Sequence, residues 1–72
     1  MGKFELTKSI EARKLNPRTK VPLNEYHTIP YGGIIENLVE QGDVEQFTHL
    51  GEYYQYPTGD LKAAMRPVVS VA

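Results

Sequence analysis

Seventy-two residues with a net charge of −1 are enough for one small domain, and the chain has no cysteine. Disulfides and thiolate metal sites are therefore excluded as sources of stability, although so short a chain buries only a modest share of its surface. The sequence shows no signal peptide and no apolar run of membrane-spanning length, so we expect a cytoplasmic protein without membrane contact.

Charge is unevenly distributed along the chain. Residues 1–20 contain six basic residues and two glutamates, a net charge of +4, whereas residues 21–61 contain seven acidic residues and no Lys or Arg. The simplest interpretation is that the basic segment folds against the acidic remainder. The alternatives are a basic arm for nucleic acid or a head-to-tail contact between copies. The lack of dense Lys/Arg clustering argues against nucleic acid as a partner.

The first predicted element is a strand, because the apolar residues Phe4, Leu6, Ile10 and Ala12 fall on alternate positions. Residues 16–33 follow, with three prolines, two asparagines and two glycines. Proline removes an amide donor and restricts the preceding residue, so this composition predicts a long loop rather than a helix. The apolar residues within it indicate that the loop is ordered and folds back on the body of the domain.

Residues 34–41, IIENLVEQ, fit two structures. Their apolar positions suit one face of a helix, which Gly42 would then cap, and they equally suit a curved strand buried on both faces. Gln41-Gly42-Asp43 is typical of a turn, and the following VEQFTHL has strand composition. An antiparallel meander over residues 34–56 is therefore the favoured interpretation.

Gly51-Glu52 is predicted to form a two-residue type II′ hairpin, since that turn requires glycine at its first central position. In this register His49 faces Tyr54 and Phe47 faces Tyr56. Tyr53 and Tyr54 then lie on opposite faces, and we expect one ring to be buried and the other, taken as Tyr54, to be exposed.

The last elements are a short helical turn and a tail. Pro57 ends the last hairpin strand, Thr58 or Asp60 can cap one helical turn, and Pro67 stops it. Residues 68–72, VVSVA, form either a final strand beside the first one or a tail. We therefore expect one domain over residues 1–67.

The element order and the stretches IPYGGIIENLVEQGD and LGEYYQYPTGDL resemble an SH3-like five-stranded barrel over about residues 30–64. The resemblance, to a fold superfamily that includes many bacterial domains, implies an all-β barrel with a long loop after the first strand and a short C-terminal helical turn. SH3 domains that grip proline-rich peptides use a tryptophan at the start of the third strand, and this chain has none. They also use a tyrosine in the helical turn, where this chain has Asp60.

The resemblance places Pro57, together with Tyr26 or Tyr31 of the long loop, where SH3 domains contact ligands. Tyr54 and His27 join them in the predicted site, as a shallow aromatic groove with an acidic rim formed by Glu25, Glu52 and Asp60. Such a groove suits an extended peptide with a basic residue. The alternative is that the tyrosines simply fill the edge of a small core.

No catalytic constellation is apparent, so we expect neither an enzyme nor a cofactor. His27 and His49 are far apart and lack further ligands at metal spacing, and the serines have no evident base. The leading function is a module that binds a protein or peptide partner. The alternatives are a structural subunit acting through self-association as a homo-oligomer, and weak nucleic-acid binding by the basic segment.

Overall fold

The computed structural model describes residues 3–68 of the chain. It contains, in order, β1 Lys3–Leu6, β2 Ile10–Leu15, β3 Pro22–Ile29, β4 Ile34–Gln41, β5 Val44–His49, β6 Glu52–Pro57, α1 Thr58–Ala63 and β7 Met65–Pro67. All strand pairs are antiparallel, and they form one sheet in the order β3-β2-β6-β5-β4-β1-β7. The predictions of an all-β chain and of a short helix after Pro57 are confirmed.

The prediction of five strands and a long loop after the first strand is wrong. The described chain has seven strands, and the supposed loop contains β3, an eight-residue strand paired with β2. Its prolines do not interrupt the pairing, because Pro22 opens β3 and Pro30 follows its end. β3 also lies at the sheet edge, where proline is tolerated.

The sheet curls around a single core. Ile29 at one end of the strand order and Leu6 near the other belong to the same buried cluster, which also includes Phe47. Two backbone hydrogen bonds join the turn after β3 to β1: Gly32 N–H donates to Leu6 O at 2.9 Å, and Leu6 N–H donates to Gly33 O at 3.0 Å. Leu61 of helix α1 and Ala64, which directly follows the helix, are also buried in this cluster.

The curled sheet is not closed. Within residues 3–68 the edge strands β3 and β7 pair only with β2 and β1, respectively, and not with each other. A closed barrel of SH3 type is therefore not confirmed, whereas a compact antiparallel sheet with one short helix is.

β4 is a strand, so the alternative of a helix over residues 34–41 is wrong. Its pairing with β5 shifts between Glu36 and Val39, which marks a β-bulge. Asn37 lies in the bulge at φ 55°, and its Nδ2 donates to Thr48 Oγ1 at 3.1 Å. Asparagine is among the few residues that tolerate this left-handed backbone. Only Ile35 of β4 is fully buried, so the predicted burial of this strand on both faces is wrong. The bulge bends the strand locally.

The β5–β6 hairpin has a different register from the predicted one. His49 pairs with Glu52, so the central turn residues are Leu50 and Gly51, at φ 52° and 81°. Two positive φ values define a type I′ turn, not the predicted type II′. Phe47 consequently faces Tyr54, not Tyr56. Side chains directly opposite each other share a face, so Tyr54 joins Phe47 in the core.

The C-terminal elements differ from the prediction in three respects. Helix α1 ends at Ala63, so Pro67 does not stop it and is instead the last residue of β7. Pro57 occupies the N-cap position of α1 and no side chain caps the helix, so neither Thr58 nor Asp60 does so. β7 then pairs with β1, and Val68 N–H donates to Lys3 O at 3.0 Å. Of the predicted tail or strand over residues 68–72, only Val68 is described, and residues 69–72 lie outside the described part of the chain.

Candidate functional site

A row of side chains crosses the outer face of the sheet on three adjacent strands. Arg13 of β2 lies opposite Tyr26 of β3 on one side and opposite Gln55 of β6 on the other. Because cross-strand partners point to the same face, these three side chains share one surface. Alternation along β2 and β6 adds Glu11 and Pro57 to the same face, two positions away.

These residues line a shallow open groove of about 230 Å³, called here the outer-face groove. Its complete lining is Glu11, Arg13, Tyr26, Val44, Gln55, Tyr56 and Pro57. Pockets that enclose drug-sized ligands usually measure about 300–1,000 Å³, so this groove is small for an enclosed substrate. It is large enough for one or two side chains of an extended peptide.

Arg13 fixes the shape of one end of the groove. Its Nε donates to Leu23 O at 2.7 Å, and its guanidinium lies 5.8 Å from the centre of the Tyr26 ring. A cation over an aromatic face is attracted by the ring quadrupole. Tyr26 is nevertheless 55% exposed, so about half of its surface remains accessible to a ligand.

Carboxylates gather at the Pro57 end of the groove. Glu11 lines it, Asp43 directly precedes Val44, and Asp60 lies in the first turn of α1. The backbone carbonyl of Asp43 accepts a hydrogen bond from Thr58 N–H at 2.9 Å. None of the three forms an ion pair with another residue between positions 3 and 68. Of these three carboxylates only Glu11 belongs to the groove lining, where it can attract a basic ligand group, and Arg13 supplies a positive charge in the same lining.

Two predicted site residues, His27 and Tyr54, lie on the opposite face of the sheet. Tyr54 is only 7% exposed, so its predicted exposure is wrong. Its ring makes an edge contact with His27 at 6.0 Å, and Lys14 Nζ lies 5.6 Å from its centre. These residues cover the rim of the core and do not contribute to the outer-face groove.

Tyr31 is also separate from the groove. It lies in the turn after β3, is 74% exposed, and does not belong to the groove lining. Of the five predicted ligand-binding residues, the outer-face groove therefore contains Tyr26 and Pro57, whereas His27 and Tyr54 contact each other on the opposite face. The predicted acidic rim is displaced as well, because Glu25 bonds to His27 at 2.9 Å and Glu52 bonds to Lys14, both away from the groove.

The pair formed by Lys14 and Glu52 has perturbed acid–base properties. Lys14 Nζ donates to Glu52 Oε1, and this hydrogen bond raises the pKa of the Lys14 ammonium and lowers the pKa of the Glu52 carboxyl. Together with Lys3–Glu36 at 3.9 Å, the pair joins the basic first segment to acidic residues further along the chain. Such contacts are expected if the basic segment folds against the acidic remainder of the chain.

The sequence-based interpretation missed five groove residues: Glu11, Arg13, Val44, Gln55 and Tyr56. The positions of those on β2 and β6 follow from the register of the three adjacent strands β3, β2 and β6. That register can be predicted only if residues 22–29 are first identified as a strand. Tyr56 packs partly against the core and also lines the groove.

Other kinds of site have little support in the described chain. Within residues 3–68, no group of three His, Asp or Glu side chains is arranged to hold a metal ion, and no helix has the length and apolar character needed to cross a membrane. Relatives offer no guide to the groove either, because no family model matches the chain and no curated protein or solved structure is significantly similar to it.

Proposed function

We propose that this chain is a small module that binds an extended peptide segment of a partner protein in the outer-face groove. The observation that carries the proposal is the meeting of exposed Tyr26 with Tyr56 and Pro57 in one open groove across three strands. Tyrosine is enriched at binding surfaces because it combines a large apolar area with a polar tip and few rotatable bonds.

The charges around the groove indicate the kind of peptide. An apolar or proline side chain fits against Tyr56 and Pro57, and a basic residue follows toward the carboxylates of Glu11, Asp43 and Asp60. Peptides that lie in an aromatic-lined groove gain affinity from the rings and orientation from one or two charged contacts. The groove lies on the outside of the sheet, so an extended segment can reach it without any opening of the core.

An SH3-like arrangement acting in the cytoplasm is part of the same proposal. Its support is the order of the hairpin strands β5 and β6, followed directly by Pro57 and the short helix α1. The absence of tryptophan separates this groove from the one that SH3 domains use for proline-rich peptides. We therefore propose a peptide ligand without requiring two prolines in it.

The proposal is tested by selecting peptides from a random displayed library on the immobilised chain. The expected result is a family of peptides that pair an apolar or proline residue with a Lys or Arg. Recovery of no peptide above the background of a Tyr26→Ala, Glu11→Lys double variant would count against a peptide-binding function.

Single variants then locate the binding site of a recovered peptide. Tyr26→Ala removes an exposed groove residue, and the loss of a central aromatic typically weakens binding by about tenfold or more. Tyr31→Ala removes a tyrosine that is even more exposed but lies outside the groove, so it is the matched control and should bind normally. Equal losses in both variants would contradict the assignment of the groove.

A further inference from the structure

The sheet has two unlike edges. β3 runs for eight residues along one edge, and no other strand of the described chain pairs with its outer side. β7, at the opposite edge, is three residues long and contains Pro67. Short strands and prolines protect a sheet edge from pairing with another chain. By this measure β7 is protected and β3 is not.

β3 is also open along most of its length. Residues 24–28 are all exposed, and the stretch from 23 to 28 contains neither lysine nor proline. Alternate residues of an antiparallel edge strand direct their N–H and C=O groups outward, where they have no strand partner. β3 therefore offers an open ladder for one further antiparallel strand.

We propose that the added strand is β3 of a second copy of this chain, so that two molecules form a symmetric dimer with one continuous sheet. A two-fold axis perpendicular to the sheet pairs identical strands antiparallel. Residues directly opposite each other in the sheet must point to the same face. The axis therefore has to pass midway between one residue and the same residue of the second copy.

The charges of β3 favour one residue at the two-fold axis over its neighbour. With Tyr26 at the centre, Glu25 faces His27 of the second copy, and Asn24 faces Thr28. With Glu25 at the centre, two glutamates would face each other directly, which is destabilising. Within one chain His27 Nε2 already lies 2.9 Å from Glu25 Oε2, so the two side chains share a face and match each other chemically. The Tyr26 register therefore pairs complementary groups over residues 24–28.

The same register pairs exposed apolar groups. The two Tyr26 rings lie side by side on the outer face, where aromatic cross-strand pairs stabilise antiparallel ribbons. Val21, exposed just before β3, falls at the level of Tyr31 of the second copy, and both are among the large apolar side chains that the single molecule leaves exposed. The dimer also brings the outer-face grooves of the two copies next to each other across the Tyr26 pair.

The contact is modest in extent. Stable interfaces usually bury about 1,200–2,000 Å² in total, and a ribbon of two eight-residue strands gives less than that. We therefore expect a reversible dimer that forms in the micromolar to millimolar range. This inference does not depend on peptide binding, because the edge of β3 and the groove between β3 and β6 are separate surfaces that share only Tyr26.

Sedimentation equilibrium of the full chain over that concentration range is the first test. The expected result is a monomer–dimer equilibrium. His27→Glu should raise the dissociation constant of the dimer by at least about tenfold, because it puts two pairs of glutamates opposite each other. Adding Glu25→Lys should restore the dimer, since each opposing pair is again of opposite charge. A chain that is monomeric at millimolar concentration would overturn the proposal, as would a double variant that remains dissociated.

Cross-linking tests the register directly, because the chain has no cysteine of its own. Tyr26→Cys places a thiol opposite its own counterpart within reach of a disulfide, and mild oxidation should give a covalent dimer. Thr28→Cys is the matched control, because it is exposed on the same strand and face but lies opposite Asn24 of the second copy. Circular dichroism confirms that both variants fold. Equal cross-linking of both variants would contradict the Tyr26 register, and failure here with peptide binding intact would leave the proposed function standing.

Discussion

Phe47 and Tyr54 lie directly opposite each other in the β5–β6 hairpin, with ring centroids 6.2 Å apart and an angle of 29° between the ring planes. The stacked pair fills the centre of the curled sheet. Lys14 and His27 cover the rim of the Tyr54 ring, so that little of it reaches water. Tyr53 points to the other face, where Lys20 Nζ lies 4.0 Å from the centre of its ring.

Alanine substitutions of the two neighbouring tyrosines should therefore differ sharply. Tyr54→Ala should lower the free energy of unfolding by about 3–5 kcal/mol, because a core aromatic is lost and a cavity remains. Tyr53→Ala should lower the free energy of unfolding by about 1 kcal/mol, because it removes a partly buried ring in contact with one cation. Urea unfolding followed by circular dichroism measures both, and a larger loss in the Tyr53 variant would contradict the β5–β6 register.

Leu50 should be replaceable with a gain in stability. It lies at the first central position of a type I′ turn at φ 52° and is 88% exposed. Asparagine followed by glycine is the preferred pair in this turn, whereas a leucine side chain is strained at positive φ. Leu50→Asn should therefore raise the free energy of unfolding by about 0.5–1 kcal/mol. Leu50→Val, whose branched side chain is worse still at positive φ, is the control and should lower it.

Gly33 and Gly59 should respond to alanine in opposite directions. A Cβ at Gly33 would lie 2.8 Å from Ile29 Cγ2 and 3.0 Å from Pro30 O, so the turn between β3 and β4 would have to shift. A Cβ at Gly59 meets nothing within 4 Å and lies inside helix α1. Gly33→Ala should destabilise the fold, and Gly59→Ala should stabilise it by about 0.5–1 kcal/mol, the usual gain of alanine over glycine in a helix. Thermal melts of the two variants measure the contrast, and equal shifts would contradict the described turn.

The stabilising effect of the ion pair formed by Lys14 and Glu52 should depend on pH at both extremes. Folding lowers the pKa of Glu52. The contribution of this carboxylate to stability is therefore fully present above its pKa in the unfolded chain, and it disappears as pH falls through its pKa in the folded chain. Folding raises the pKa of Lys14, so the contribution of the Lys14 ammonium to stability is lost as pH rises through its pKa in the folded chain. Glu52→Gln should therefore melt lower than the unmodified chain at neutral pH, and the two should converge in acid. A difference that persists in acid would show that the ion pair is not its cause.

Local patterns predict most of the strands but not their partners. Alternation, turn residues and the apolar run after Gly33 correctly predict β4, β5, β6 and α1. The face on which Tyr54 lies can also be predicted from the sequence. Residues two apart on a strand share a face, and Phe47 is a core residue in any register of that hairpin. The predicted exposure of Tyr54 is wrong because its burial is tied to that of Phe47.

β3 was missed for a different physical reason. It is a largely exposed edge strand whose apolar residues Leu23, Tyr26 and Ile29 are three positions apart, so it has neither the apolar alternation nor the buried run that indicates a strand. Its conformation comes from pairing with β2, a tertiary contact that residues 22–29 do not encode locally. The outer-face groove was misplaced for the same reason, since Arg13, Tyr26 and Gln55 meet only through that pairing.

The most direct test of peptide binding in the outer-face groove is a nuclear magnetic resonance titration of the isotopically labelled chain with a selected peptide. The account predicts that the largest changes in amide chemical shift cluster at Arg13, Tyr26, Val44 and Tyr56, and that Tyr31 and the turn at Leu50 change little. Saturable changes centred instead on Tyr31, or on the His27 side of the sheet, would contradict the assignment of the groove.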